Sequence, residues 1–254
     1  MDITVVQLNI TWKNKAVNIK QVELMLRDAT IPSSGLIVLP EMFSTGFTMD
    51  VASVSEQNDS GETLDFLKEQ ANRHQSYIIA GVVTTDINGL GNNEAILVNP
   101  EGEVVTRYCK IHPFSYGGED KHYRSGSTIE TYPIGEYLVA PLICYDLRFP
   151  ETFRSAVHQG ATVFPVIANW PAARDEHWTT LLKARAIENQ AYVIGANRCG
   201  ADPKIQYAGH SMIINPKGEV IAEADNKETL LQATLDFESL ESYRDLFPTL
   251  KDIK

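Results

Sequence analysis

Apolar runs of strand character alternate along the chain with stretches of helical period. Residues 3–10, ITVVQLNI, read as a strand. Val17 to Ala29 then carries Ile19, Val22 and Leu26 at spacings of three and four, the mark of an amphipathic helix. GLIVLPEMF (35–43) is a short buried strand stopped by Pro40, and GETLDFLKEQANRHQ (61–75) is a second amphipathic helix with Thr63 as its expected N-cap. Strands follow in YIIAGVVTTD (77–86), in NNEAILVNPEGEVVTRYCK and near 137–143. The second half repeats the style. A helix near 151–159 leads to a strand at 161–169, a long helix at 176–190 and a strand at 191–197, with further strands near 209–214 and 218–224.

Two tetrapeptides, NPEG at 99–102 and NPKG at 215–218, each lie between β-like runs and predict hairpin turns, hence antiparallel pairing. The class is α/β. The pattern alone fits either one mixed sheet or two sheets packed face to face with helices outside. At 254 residues the chain is near the upper size for one hydrophobic core, and no repeat or linker interrupts it. A single domain over 1–254 is therefore expected.

Composition excludes several functions. A formal net charge of −11 argues against nucleic acid as a partner, since phosphates demand a basic surface, and equally against anionic membranes. No apolar run approaches the roughly 20 residues of a membrane span, and the opening MDITVVQLNI alternates like a strand rather than like a signal peptide. The three cysteines, Cys109, Cys144 and Cys199, form no C-x-x-C, and the six histidines form no H-E-x-x-H. Neither a disulfide framework nor a metal site is signalled, and a cytoplasmic, cofactor-free protein is expected.

Three segments share one design, in which an apolar strand ends and hands over an ionisable side chain. LIVLPE delivers Glu41, VVTRYCK delivers Lys110 and LVAPLIC delivers Cys144. Taken singly, each has an ordinary reading: an exposed loop carboxylate, a solvated lysine, a small buried thiol. Taken together they make a coherent chemistry. Glu41 can accept the thiol proton as general base, and Lys110 can stabilise the thiolate and the oxyanion formed at an attacked carbonyl. The backbone N–H of Tyr145, just after the nucleophile, would complete the oxyanion site, as in strand-to-helix nucleophile elbows.

In order and spacing, LPEMF, YCKIHPF and LICYDLRFPE resemble the Glu-Lys-Cys motifs of the nitrilase superfamily of carbon–nitrogen hydrolases. NPEG, ANWP, ARAIENQAYVIGANRCG and GHSMIINPKGEV also look like family segments, so the resemblance spans essentially the whole chain. It implies a four-layer α-β-β-α sandwich, commonly paired into homodimers, and no cofactor. It further implies a second site glutamate in the loop after the lysine. The matching position is Glu119, with Asp120 one residue on. YDLRFP, ANWPAAR, HWTTLLKARAIENQAYV and YRDLFP are most similar to the bacterial omega-amidase, or 2-oxoglutaramate amidase, branch. The partner so implied is a small amide, such as 2-oxoglutaramate or 2-oxosuccinamate. True nitrilases usually place Trp-Glu after the cysteine, where Tyr145-Asp146 stands here.

A substrate carrying a distal carboxylate needs a cation, and arginine is the best bidentate partner. Arg174, after ANWP, is the expected one, with Asn169 and Trp170 lining the same pocket. Arg148 and Glu151 stand three apart and are expected to form a structural ion pair, as are Arg185 and Glu188. The competing readings are an N-carbamoyl amide hydrolase or general aliphatic amidase with the same chemistry, and a non-catalytic scaffold on the same fold.

Overall fold

The computed structural model describes residues 1–85 and 89–253; Asp86, the expected last residue of one strand, and Lys254 lie outside them. In chain order β1 (Asp2–Gln7), α1 (Lys15–Arg27), β2 (Leu36–Val38), the one-turn α2 (Val51–Val54) and α3 (Glu62–His74) come first. They lead to β3 (Tyr77–Thr85), β4 (Gly91–Val98) and β5 (Val104–Cys109). Then come β6 (Tyr132–Ile134), β7 (Tyr137–Val139), β8 (Leu142–Ile143), α4 (Pro150–His158), β9 (Val163–Ala168), α5 (Asp175–Asn189) and β10 (Tyr192–Asn197). A small ribbon, β11 (Cys199–Ala201) and β12 (Gln206–Ala208), precedes β13 (Met212–Ile214), β14 (Val220–Glu223), β15 (Thr229–Thr234) and α6 (Phe237–Leu246).

Two sheets carry the fold. One has the order β15-β1-β2-β3-β4-β5, and the other β14-β13-β10-β9-β7-β6 with β8 beside β9. Strand periodicity explains how they stack. On β1 to β4, Ile3, Val5, Leu36, Val38, Ile79, Ala95 and Leu97 join the core shared with the second sheet. The alternate residues Val6, Ile37, Ile78, Ala80 and Ile96 pack with Val22 and Leu26 of α1 and Leu64 and Leu67 of α3. Successive strand residues point to opposite faces, so a sheet apolar on both must be covered on both. The second sheet is covered on its outer face by α4 and α5, through Phe153, Trp178, Leu182 and Ala186. The result is the four-layer α-β-β-α sandwich, and the choice left open by pattern alone falls to two sheets.

Both hairpins form where the tetrapeptides predict them, joining β4 to β5 and β13 to β14. Gly102 (φ +81°) and Gly218 (φ +84°) take the left-handed turn position that favours glycine. Two local expectations change. The strand near 137–143 is split into β7 and β8 across Pro141, which has no N–H for a ladder. Thr63 does not cap α3: the N-cap is Gly61, and Thr63 lies inside the first turn. Its N–H and hydroxyl instead both donate to Glu56 Oε1, at 3.0 and 2.6 Å, so a carboxylate from another segment serves the helix terminus.

Four of the expected site residues follow strand ends: Glu41 after β2, Lys110 after β5, Cys144 after β8 and Asn169 after β9. The Glu41 turn crosses directly over β3 at Gly81. A Cβ there would stand 2.4 Å from Glu41 Cα and 2.4 Å from Met42 N, both backbone atoms that cannot swing aside. Gly81→Ala is expected to lower stability by about 1–3 kcal/mol through overpacking and to lower kcat with it, since Glu41 must move. Thermal melting and steady-state kinetics on the same preparation check both effects.

Candidate active site

At the strand ends one ammonium lies between two carboxylates. Lys110 Nζ donates to Glu41 Oε1 at 2.9 Å and to Glu119 Oε2 at 2.9 Å, and none of the three side chains is more than 1% exposed. Asn93, from β4, bridges the same carboxylates, its Nδ2 donating to Glu41 Oε1 at 2.7 Å and to Glu119 Oε1 at 2.8 Å. The second Glu41 oxygen accepts the Asn169 N–H at 2.9 Å, while Asn169 Nδ2 donates to the Glu41 carbonyl at 2.6 Å. Glu119 Oε2 also accepts the Phe114 N–H at 2.6 Å, which fastens the 114–119 loop onto the charged centre. Asp120 is exposed on the surface, so the geometry distinguishes the two adjacent acids.

These contacts set protonation. Burial alone would raise the Glu41 pKa, but the Lys110 charge and the Asn93, Lys110 and Asn169 hydrogen bonds reverse that and hold it below the ordinary glutamate value. Burial would likewise lower Lys110, yet the Glu119 and Glu41 charges hold it well above the ordinary lysine value. Glu41 is thus an ionised acceptor and Lys110 a fixed cation.

Cys144 opens a five-residue 3-10 turn, Cys144–Arg148, directly after β8. Its φ of +46° is in the left-handed region, a strained conformation for a residue with a Cβ. Asp146, fully buried two residues on, holds that turn. Its Oδ2 accepts the Ile143 N–H at 3.0 Å and the Tyr108 hydroxyl at 2.8 Å. Its Oδ1 accepts the His112 N–H at 3.0 Å and meets His112 Nδ1 at 2.8 Å. The nucleophile turn is thereby tied to residues on both sides of Lys110. From behind, Arg185 donates twice to the Leu147 carbonyl, at 3.1 and 2.8 Å, and pairs with Glu188 at 2.7 Å as the spacing predicted. The Tyr145 N–H lies in the first turn, where N–H groups have no intrahelical acceptor. Burial, then the Glu41 charge, raise the Cys144 thiol well above the ordinary value against the opposing pull of Lys110. The resting sulfur is a neutral thiol.

Above Cys144 and Lys110 opens a pocket of about 430 Å³ including its mouth. Phe47, Phe114, Tyr145, Trp170, Ile205 and Tyr207 form its apolar walls. Trp170 Nε1 donates to the Arg174 carbonyl at 2.7 Å, and the Arg174 guanidinium lies 5.6 Å from the Phe114 ring. Asn169 also reaches the wall, with its Oδ1 unbonded. The expected Arg148–Glu151 pair does not form. The two belong to different elements, because the 3-10 turn stops at Phe149 and α4 starts at Pro150, so the three-residue spacing no longer puts them on one face. Glu151 is exposed, and Arg148 turns inward over the Trp170 ring at 4.8 Å. Among the described residues, no group of three or more His, Cys, Asp and Glu side chains could hold a metal ion.

Sequence reasoning missed Asn93, Asp146, Tyr108 and the pocket role of Arg148. Asn93 has a faint signal, as a polar residue in an otherwise core-like strand. Asp146 has a clearer one, as an acidic residue two positions after the cysteine that closes the apolar run LVAPLIC.

Comparison with known proteins places this architecture. The carbon-nitrogen hydrolase family matches residues 2–245. The chain is 37% identical to the omega-amidase YafV of Escherichia coli (strain K12), covering 99% of this chain and 96% of that one. It is 34% identical to the 2-oxoglutaramate amidase of Bacillus subtilis (strain 168), covering 99% and 97%. Among solved structures it resembles a Xanthomonas campestris CN-hydrolase superfamily protein with an arsenic adduct in its active site. The TM-score there is 0.94 at 30% identity, covering 100% of this chain and 97% of that one. A family match over nearly the full length, joined to this fold, means that the chain belongs to the carbon–nitrogen hydrolases of the nitrilase superfamily and is an enzyme that hydrolyses amides.

Proposed function

We propose that the protein hydrolyses the terminal amide of a short ω-amido acid, such as 2-oxoglutaramate or 2-oxosuccinamate, to the dicarboxylate and ammonia through a thioester on Cys144. The observation that carries the reading is the set of groups around one pocket: an ionised Glu41, a cationic Lys110, a thiol at the pocket floor and arginines at its walls. The names of the YafV and Bacillus subtilis relatives support the substrate class.

The mechanism follows from the protonation states. Because Cys144 rests as a thiol, its proton passes to Glu41 as the sulfur attacks the amide carbon, rather than beforehand. The electron pair of the carbonyl moves to oxygen, which Lys110 Nζ and the Tyr145 N–H receive. Glu41 returns the proton to the amide nitrogen, the C–N bond breaks and ammonia leaves. A water enters, gives a proton to Glu41 and attacks the thioester, and Glu41 restores the thiol as the acid departs. Asn93 and Glu119 position Lys110 and Glu41 throughout. Arg174 holds the distal carboxylate of the substrate, with Asn169 and Trp170 lining its path.

Residues 1–254 act as one unit that pairs into a homodimer, for which Leu246 and Phe247, 85% and 55% exposed at the end of α6, offer apolar surface. Three free cysteines suit a reducing cytoplasm. No described helix is long and apolar enough to cross a membrane.

Cys144→Ala is expected to abolish turnover, and Glu41→Gln to lower kcat by about 10²–10⁴-fold, the usual worth of a general base; both are read by ammonia release. The pH profile tests the charge assignments. Since folding lowers the Glu41 pKa, its ionised form and the stability it contributes are present above the ordinary glutamate value and lost only as pH falls through the depressed one. The acid limb of kcat/KM is therefore expected below the ordinary glutamate range. No alkaline limb is expected near the ordinary thiol value of ~8.5. A panel of 2-oxoglutaramate, 2-oxosuccinamate, glutamine, an N-carbamoyl β-amino acid and an aliphatic nitrile tests the substrate. Preference for the two oxo-amides is the expected outcome, and preference for the carbamoyl compound would replace it.

A further inference from the structure

The pocket holds three cations, and they differ in what already occupies them. Lys110 is neutralised by two buried carboxylates. Arg148 and Arg174 are not. The 3.2 Å contact of Arg148 Nη2 with His177 Nδ1 is its one side-chain hydrogen bond among the described residues, and its guanidinium faces the Trp170 ring. Arg174 has no side-chain hydrogen bond or ion pair among them and faces Phe114. The acids close to them in sequence are engaged elsewhere or exposed: Asp146 accepts from Ile143, Tyr108 and His112, Glu151 is exposed, and Asp175 pairs with His210 at 2.8 Å. Among the described residues, none that lines the pocket is acidic. The two guanidiniums are close enough that, after burial, the Arg174 charge is the next influence weakening Arg148's hold on its proton. Like charges facing one apolar pocket, with donor edges unspent, await an anion.

Resting on the amidase reading above, we infer that Arg148 and Arg174 together form the acid-binding end of the pocket and make the enzyme select 2-oxo acids over 2-amino acids. A carboxylate placed between the two receives donors from both sides. A neighbouring carbonyl oxygen adds a further acceptor for the guanidinium donors. An ammonium in the same position adds a third positive charge beside the two guanidiniums, with no acidic side chain among the described lining residues to pair with it. Glutamine and 2-oxoglutaramate share length, amide and carboxylate, so this single difference separates them. Arg148 therefore determines specificity as well as forming part of the nucleophile turn.

The test compares wild type with Arg148→Gln and with Arg148→Lys, which keeps the charge, on three amides of equal chain length: 2-oxoglutaramate, glutamine and pentanamide. In Arg148→Gln, kcat/KM for 2-oxoglutaramate is expected to fall at least tenfold further than for pentanamide, mainly through KM. The preference for 2-oxoglutaramate over glutamine is expected to fall at least tenfold, with Arg148→Lys between the two. Equal losses on all three amides, or none, would overturn the inference by reducing Arg148 to a holder of the turn. A second readout needs no turnover. Glutarate should protect Cys144 of the wild type from alkylation, and at least tenfold more glutarate should be needed in Arg148→Gln. A wild type that hydrolyses pentanamide but ignores 2-oxoglutaramate would sink the ω-amido acid reading. The protection experiment then still decides the arginine pair, since equal glutarate protection in both proteins would reject it.

Discussion

The buried ammonium of Lys110 is the constraint on which the rest of this structure depends. A charge withdrawn from water is tolerated only when it is paired and fully hydrogen-bonded, and removing one partner of a buried pair costs about 3–5 kcal/mol. Here its two carboxylate partners, and the donors that hold them, arrive from separate elements. Glu41 from the loop after β2 and Glu119 from the loop beyond β5 accept from the lysine, while Asn93 from within β4 and the Asn169 N–H from the second sheet donate to those carboxylates. No local segment satisfies the lysine. Only the stacked sheets do, so the stability of the centre and the geometry of catalysis are one arrangement.

That arrangement also explains the state of the nucleophile. A lone lysine beside a thiol would favour the thiolate, but burial first, and then the charges of the two carboxylates that share this lysine, outweigh it. In the proposed mechanism the thiol keeps its proton until a carbonyl is in place to receive the electron pair. The strained left-handed Cys144 backbone is held by Asp146, which accepts from Ile143, Tyr108 and His112 at once. Strain of this kind costs of order 1–3 kcal/mol and persists only where the surroundings over-determine it.

Charge is divided between the floor and the wall of the pocket. At the floor, opposite charges are matched and buried, which suits proton transfer within a closed set of groups. At the wall, two arginines lie over aromatic rings without carboxylate partners, which suits an incoming anion. The same five-residue turn presents both Cys144 and Arg148, so in the proposed reading the reacting end and the recognition end of the site are coupled through it.

Much of this is legible in the chain. An apolar run that ends on an ionisable residue announces Glu41, Lys110 and Cys144, because a strand core needs no charge unless its end is used. The hairpins follow from turn chemistry, and the Arg185–Glu188 pair from helical spacing inside one unbroken helix. What failed was reasoning that assumed an element it did not have. Arg148 and Glu151 have a helical spacing but no shared helix, and Thr63 has a capping residue's identity but not its position. The β15 strand, half exposed along its length, carries too weak an alternation to be read. The sequence by itself determined most of the local elements and marked Glu41, Lys110 and Cys144 as the ionisable residues that close apolar strands. Only the tertiary structure decided which of them meet. Glu41 and its Asn169 donor are 128 residues apart, and nothing in the pattern around either one specifies a partner at that distance.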